Sequence, residues 1–192
     1  SERIKFFNNE LKNIFNLVDV IKENSSSKIL LHNFQKPTFS PLGIAENKER
    51  NGFFEIVEKI NIELRDSYKT DNQVCVFDFD SFCSYEGKKS IVNDKLYYLA
   101  DIRISNEILP NLCKSYVSYL FSTMGYVKKC IVVDLDNTLW GGVVGEDGID
   151  GIKLGPTPEG RPFLEFQQIL LSYYKRGIIL AVNSKNNYED AI

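Results

Sequence analysis

Two aspartates separated by one residue follow a short apolar segment in the second half of the sequence. These are Asp134 and Asp136, and a second apolar segment further on ends in Ser184 and Lys185. The carboxyl ends of parallel strands meet at one edge of a sheet, so we expect all four residues at one rim. Carboxylates placed beside a core need a compensating partner, and a divalent cation is the natural one. Magnesium fits best, because it prefers hard oxygen ligands and shares them with substrate phosphates.

The spacing of the aspartates predicts a division of labour in phosphate chemistry. Asp134 is placed to attack phosphorus and form an aspartyl-phosphate, while Asp136 protonates the leaving oxygen and later accepts a proton from water. Thr138, Ser184 and Lys185 are the candidate phosphate-binding residues, and Ser184 offers a hydroxyl and neighbouring backbone amides. A solvated side chain is the alternative for Lys185. An Asp-x-Asp sequence at a turn also has a plain structural alternative, the capping of the next helix.

The elements that must position these residues alternate between helices and strands. Apolar residues spaced three and four apart predict amphipathic helices, and short apolar runs predict strands. This alternation indicates an α/β fold with a parallel sheet flanked by helices. We expect residues 81–105 to be a solvated connection and the glycine-rich residues 141–155 to be a β-hairpin flap. The predicted helices are 4–21, 53–64, 109–120 and 163–174, and the predicted strands are 29–34, 74–79, 130–135 and 178–182.

Composition excludes several classes of function. The 192 residues are 43% hydrophobic and carry a net charge of −3, which disfavours both global disorder and nucleic-acid binding. No apolar run approaches the length of a membrane span, so we expect no membrane association and a cytoplasmic location. The four cysteines form no Cys-x-x-Cys pair, and the single histidine, His32, lies in an apolar run. A zinc site or a histidine-dependent hydrolase is therefore disfavoured.

The first motif, Val132-Val133-Asp134-Leu135-Asp136-Asn137-Thr138-Leu139, resembles that of the haloacid dehalogenase (HAD) superfamily of phosphotransferases. Its extension from Trp140 to Gly148, together with Phe166-Gln167 and Ser184-Lys185-Asn186-Asn187, is similar to the FkbH-like subfamily. The resemblance implies that Asp134 is the nucleophile, Asp136 the acid/base and Ser184 the hydroxyl of the second motif. It also implies that Mg²⁺ is held by the Asp134 carboxylate and the backbone carbonyl of Asp136.

The resemblance implies a domain organisation as well. Residues 1–126 are similar to the C-terminal part of an SGNH-hydrolase-like domain, and residues 127–192 to the N-terminal part of a capless HAD phosphatase domain. Ile192 comes before the superfamily's later lysine and last acidic metal ligand, either because this is a fragment or because those segments are absent, so this piece alone should bind magnesium weakly.

The substrate follows from the resemblance only by analogy. It implies a phosphorylated metabolite and the loading of a glyceryl unit from a phosphorylated glycerate onto an acyl carrier protein. The main alternative is a non-catalytic module that binds an acyl carrier protein. A receiver-like phospho-acceptor ranks last, because the acidic pair and the phosphorylated aspartate of such a protein come from different strands.

Overall fold

The computed structural model describes residues 2–186 of the chain. The chain divides into two compact units, one ending at Tyr116 and the other beginning at Val117. Each unit holds one pair of parallel strands together with helices, which confirms the predicted α/β class. The domain boundary placed after residue 126 from the sequence stays a prediction. Within residues 2–186, no helix combines the length and the apolar character that crossing a membrane requires.

The first unit is built on a parallel pair of short strands, β1 and β2. Ile29 lies opposite Val74 and His32 opposite Phe77, so the two strands end at the same edge. A 3₁₀ helix over Gly43–Lys48 precedes α2. The elements are α1 Glu2–Asn24, β1 Ile29–His32, α2 Phe53–Tyr68, β2 Val74–Phe77, α3 Phe79–Glu86, α4 Lys88–Ile91, α5 Asp94–Ala100 and the start of α6 Leu109–Thr123.

The main core of this unit is formed by the apolar stripes of α1 and α2. Leu11 of α1 packs with Ile56, Ile60 and Leu64 of α2, and Leu64 is fully buried. The i, i+4, i+8 spacing in α2 puts its three residues on one helix face, within the helix that the sequence predicts over residues 53–64. Burial of each such side chain contributes roughly 1.5–3 kcal/mol. This packing fixes α2 beside the strands.

Residues 81–105 are not the solvated connection that the sequence suggested. They contain three short helices, and Cys83 and Ile91 are buried with Ile108 in a second core cluster. The prediction was wrong because the apolar residues are few and widely spaced, so they give no periodic stripe. Their burial depends on tertiary packing, with Phe79, Phe82 and Ile104 covering the cluster.

The second unit pairs β3 and β4 in parallel, with Cys130 opposite Ile179 and Val133 opposite Val182. Helix α6, whose first turn carries Pro110, ends before Gly125, which has a φ of 80°. Proline suits the first turn of a helix, where its missing N–H has no partner to lose, and glycine readily takes the left-handed backbone that ends one. The elements that follow are β3 Cys130–Val133, α7 Val144–Gly151, α8 Arg161–Lys175 and β4 Ile179–Val182.

The prediction of a β-hairpin flap over residues 141–155 is wrong, because the segment is helical over Val144–Gly151, with a break at Gly148, where φ is 65°. Gly141 and Lys153 exchange backbone hydrogen bonds of 3.0 and 2.7 Å in one isolated antiparallel bridge, and α7 lies between them. Asp147 Oδ2 accepts a hydrogen bond from Val143 N at 2.9 Å, and a Cβ on Gly142 would lie 2.7 Å from the same oxygen. Gly142 thus allows close approach to a capping carboxylate rather than a strand turn. The segment between β3 and α8 contains no cap domain.

Candidate functional site

The carboxyl ends of β3 and β4 form one side of an open cavity of about 370 Å³. Asn183 N donates to Val133 O at 2.9 Å, so the pairing continues one residue past β4 and holds the two ends together. The cavity brings Asp134, Ser184 and Lys185 together, as the rule for parallel strands predicts. Its lining consists of Val132, Val133, Asp134, Asn183, Ser184 and Lys185.

Asp134 presents an exposed carboxylate at this cavity. Its Oδ1 accepts a hydrogen bond of 2.8 Å from the backbone N–H of Leu135, whose side chain is buried. The bond comes from the next residue, so it orients the carboxylate without covering it. An exposed, oriented carboxylate at a strand end is available both to a cation and to an electrophile.

Asp136 is not among the residues that line this cavity, and hydrogen bonds from its own loop hold one of its carboxylate oxygens. Oδ1 accepts from Trp140 Nε1 at 3.0 Å and from Val144 N at 3.1 Å. Partial burial alone would raise the pKa of Asp136, but the Val144 amide, the Asn186 side chain and the Trp140 indole together lower it below its ordinary value of 3.8. Asp136 is therefore ionised in the free protein at neutral pH.

Asn186 connects the end of β4 to Asp136. Its backbone N–H donates to Ser184 Oγ at 3.2 Å, which fixes the hydroxyl that lines the cavity. Its side-chain nitrogen is buried without a hydrogen-bond partner in the described part of the chain. It lies close enough to Asp136 to lower the pKa of that carboxyl group. The sequence suggested a turn or a helix cap for Asn186 and Asn187. Asn187 lies outside the described residues, as does the segment that would follow it.

The loop after β3 is held by a frame of side chains that sequence reasoning only partly identified. Asn137 adopts a left-handed backbone with a φ of 54°, and its Oδ1 accepts from Gly142 N at 2.9 Å. Gln167 of α8 donates to Leu139 O at 2.7 Å and ties the loop to that helix. Thr138 lies within this frame, with its N–H bonded to Leu135 O, and does not line the cavity.

A second set of polar groups lies at the carboxyl ends of β1 and β2, and the sequence analysis did not single it out. Asn33 is buried, donates to Asp78 Oδ1 at 2.8 Å and accepts from Asp80 N at 3.1 Å. Asp80 also accepts from Lys36 N and from Lys88 Nζ, at 2.7 and 2.6 Å. The available signal was the repeated Asp-x-Asp spacing of Asp78 and Asp80 at a strand end.

The carboxyl ends of β3 and β4, with the residues that follow them, are called the β3–β4 rim below. Metal binding at this rim would depend on few donor atoms. Within residues 2–186, no group of three or more His, Cys, Asp or Glu is arranged to hold a metal ion. The Asp134 carboxylate and the backbone of Asp136 are hard oxygen donors, which suits a Mg²⁺ ion that keeps several waters. Two N–H groups already occupy Oδ1 of Asp136, which favours its backbone carbonyl as the ligand.

Together, the two units and the β3–β4 rim define a mixed α/β protein with an Asp-x-Asp motif beside an open cavity. The family model described as FkbH, N-terminal domain matches residues 1–120. The chain therefore belongs to the FkbH family, which confirms the FkbH-like resemblance of the sequence. A comparison with curated proteins gave no match.

This chain is also similar to a solved structure of a protein that contains a phosphatase domain. It is the crystal structure of the N-terminal part of the protein BF1531 from Bacteroides fragilis, containing a phosphatase domain and complexed with Mg. The TM-score is 0.85 at 28% sequence identity, and the match covers 97% of this chain. It covers 50% of the other chain, so this chain spans half the length of the solved structure.

Proposed function

We propose that the protein is a magnesium-dependent phosphatase or phosphoryl transferase that acts through an aspartyl-phosphate on Asp134. The observation that carries the proposal is the cavity where β3 and β4 end, because it puts a carboxylate, a hydroxyl and an ammonium group around one space. Its solved relative contains a phosphatase domain and Mg. An anion-binding pair beside a nucleophile suits a phosphate ester better than a neutral substrate.

In the proposed reaction, an oxygen of Asp134 attacks the phosphorus of a phosphate monoester. The bond between phosphorus and the ester oxygen breaks, and that oxygen takes the proton carried by Asp136. Water, or an acceptor hydroxyl in a transfer reaction, then attacks phosphorus and gives its proton to Asp136. The bond between phosphorus and Asp134 breaks, which restores the carboxylate and releases phosphate or the phosphorylated acceptor.

The other residues around the cavity have separate roles in binding the phosphoryl group and in proton transfer. Ser184 donates its hydroxyl to a phosphoryl oxygen, and Lys185 supplies positive charge at the open side of the cavity. The pKa of Asp136 is lowered in the protein without substrate. A phosphoryl anion beside this carboxylate would raise that pKa and favour the protonated form of Asp136. Mg²⁺, held by Asp134 and the carbonyl of Asp136, would offset the charge of the phosphate during attack. Thr138 supports the loop and is the weakest phosphate-binding candidate.

The proposed substrate is a phosphorylated small metabolite, and the proposed partner is an acyl carrier protein that receives a glyceryl or related unit. The segment between β3 and α8 contains only α7, which leaves the rim accessible to a group tethered to a carrier. The competing proposal is a non-catalytic module that binds a carrier protein. Carrier binding that survives loss of both Asp134 and Asp136, with no phosphate release by the parent protein, would favour that module.

The test measures phosphate release from small phosphate monoesters by the full-length protein with Mg²⁺. Asp134→Asn should lower kcat by about 10³-fold or more, because the neutral amide is a poor nucleophile. Asp78→Asn is the matched control, since it changes the first aspartate of the other Asp-x-Asp motif. It should lower stability and leave the rate of phosphate release unchanged. Equal rates for the parent protein and Asp134→Asn would overturn the proposal.

A further inference from the structure

Trp140 is tied to the carboxylate that the proposed reaction uses for proton transfer. Its indole N–H donates to Asp136 Oδ1 at 3.0 Å, and the two residues also form an isolated parallel β-bridge through their backbones. The hydrogen bond assigns the indole nitrogen to Asp136.

Asp136 Oδ1 accepts a second hydrogen bond, and the two bonds together restrict the orientation of the carboxylate. Val144 N donates to Asp136 Oδ1 at 3.1 Å, and the Val144 side chain is buried at the start of α7. Two N–H groups on one carboxylate oxygen restrict rotation of the carboxylate, and bonds to a charged acceptor are stronger than neutral ones. A general acid and base must be held in reach of the reacting oxygen, so such restriction affects rate directly.

The indole is itself held in place by the loop around it. Gln167 of α8 donates to the carbonyl of Leu139, the residue before Trp140, at 2.7 Å. The residue after it, Gly141, is buried against Phe163, where an added Cβ would lie 2.8 Å from the ring. The backbone is therefore anchored on both sides of Trp140. A group anchored in this way can position a neighbour.

We propose that Trp140 is a positioning residue for Asp136 that works with the Val144 amide to hold one carboxylate oxygen in place. This role rests on the proposed function, because positioning matters only if Asp136 transfers protons. Trp140 does not act as a substrate platform on this account, and its indole nitrogen is not available to substrate. Its removal should therefore affect turnover more than substrate binding.

The kinetic test compares the full-length protein with Trp140→Phe, which keeps an aromatic ring and removes the donor. We expect kcat to fall about tenfold or more, a part of the 10²- to 10⁴-fold that acid–base catalysis contributes. KM should stay within about twofold, because no contact with substrate is lost. Unchanged kcat, or a change confined to KM, would overturn the inference while leaving the proposed function intact. Equal rates for the parent protein and Asp134→Asn would overturn both.

A spectroscopic test works without activity and does not depend on the stability of Trp140→Phe. Trp140 is the only tryptophan among the 192 residues, so its emission can be observed directly in this chain. The negative charge at the indole nitrogen stabilises the excited state, in which electron density leaves the pyrrole ring. Asp136→Asn should therefore shift the emission to shorter wavelength.

Asp147→Asn is the matched control for this measurement. Asp147 belongs to the same loop and accepts a hydrogen bond from Val143 N, next to Val144, at 2.9 Å. An asparagine oxygen can accept the same bond, so this variant should leave the emission and kcat unchanged. An emission maximum that is the same in the parent protein and Asp136→Asn would overturn the contact and with it the positioning role.

Discussion

The two units of this chain each end a parallel strand with the same spacing of aspartates. Asp78 and Asp80 follow β2 in the first unit, and Asp134 and Asp136 follow β3 in the second. Each partner strand is followed by an asparagine whose N–H bonds to the last carbonyl across the pair, at 3.1 Å for Asn33 and 2.9 Å for Asn183. The local backbone arrangement is therefore shared.

The side chains separate the two rims. Asn33 is only 4% exposed and joins Asp78 to the backbone of Asp80, and Asp78 also accepts from Ser81 N at the start of α3. In the second unit, Asp134 and Asn183 are exposed and face a cavity. The first rim is closed by its own hydrogen bonds, and the second is open. Acidic residues at strand ends mark a candidate site only where their polar atoms are left available.

The largest expected effect on stability concerns the α1–α2 core of the unit that carries the closed rim. Leu64→Ala should lower the free energy of unfolding by about 2–5 kcal/mol, because it leaves a cavity at a fully buried position. Leu17→Ala is the matched control on α1, where the side chain is 60% exposed, and it should change stability by less than about 0.5 kcal/mol. Urea unfolding of both variants measures the difference. Equal losses would show that α1 and α2 do not pack as described.

A smaller effect is expected from opening the closed rim directly. Asn33→Ala removes the donor to Asp78 and leaves the N–H of Asp80 without its acceptor, which should cost about 1–3 kcal/mol. Asn183→Ala changes the corresponding residue of the open rim, and its stability should stay within about 0.5 kcal/mol of the parent protein. Urea unfolding again measures both. A larger loss for Asn183→Ala than for Asn33→Ala would reverse the comparison.

The smallest expected effect is on the pH dependence of stability, and it concerns Asp71, which lies just before the amino-terminal end of β2. Lys22, followed by the N–H groups of Val74 and Gln73, lowers the pKa of Asp71 from its ordinary 3.8 to about 2. A folded pKa below the unfolded one gives stability that is complete above the ordinary value and is lost as pH falls toward about 2. Between these pH values, the stability of Asp71→Asn should fall less steeply than that of the parent protein. Parallel curves in urea unfolding at several pH values would contradict this cause.

The long elements could be predicted from the sequence because their signals are periodic. The stripes that place Leu11, Ile60 and Leu64 on helix faces give α1 and α2 directly, and short apolar runs give the strands to within two residues. The short helices α3 to α5 could not be predicted, because Cys83 and Ile91 become buried only through packing with distant residues. In the flap, the glycines suggested a hairpin, but Asp147 caps a helix there.

The candidate site could also be predicted from the sequence only in part. The spacing of Asp134 and Asp136, together with Ser184 after a second strand, locates the rim without coordinates. The sequence does not show how the Asp136 carboxylate is held, because that depends on donors from Trp140 and Val144 in a loop of unpredicted shape. It also does not distinguish the closed rim from the open one, since the burial of Asn33 is a tertiary property.

The most direct test of the open rim is a crystal structure of the full-length protein soaked with MgCl₂ and beryllofluoride, which binds carboxylates as a phosphoryl mimic. We expect beryllofluoride on the Asp134 carboxylate, with Mg²⁺ beside it, Ser184 within hydrogen-bonding distance, and nothing bound at Asp78. Density at the Asp78 rim, or none at Asp134 at saturating concentrations of both reagents, would contradict it.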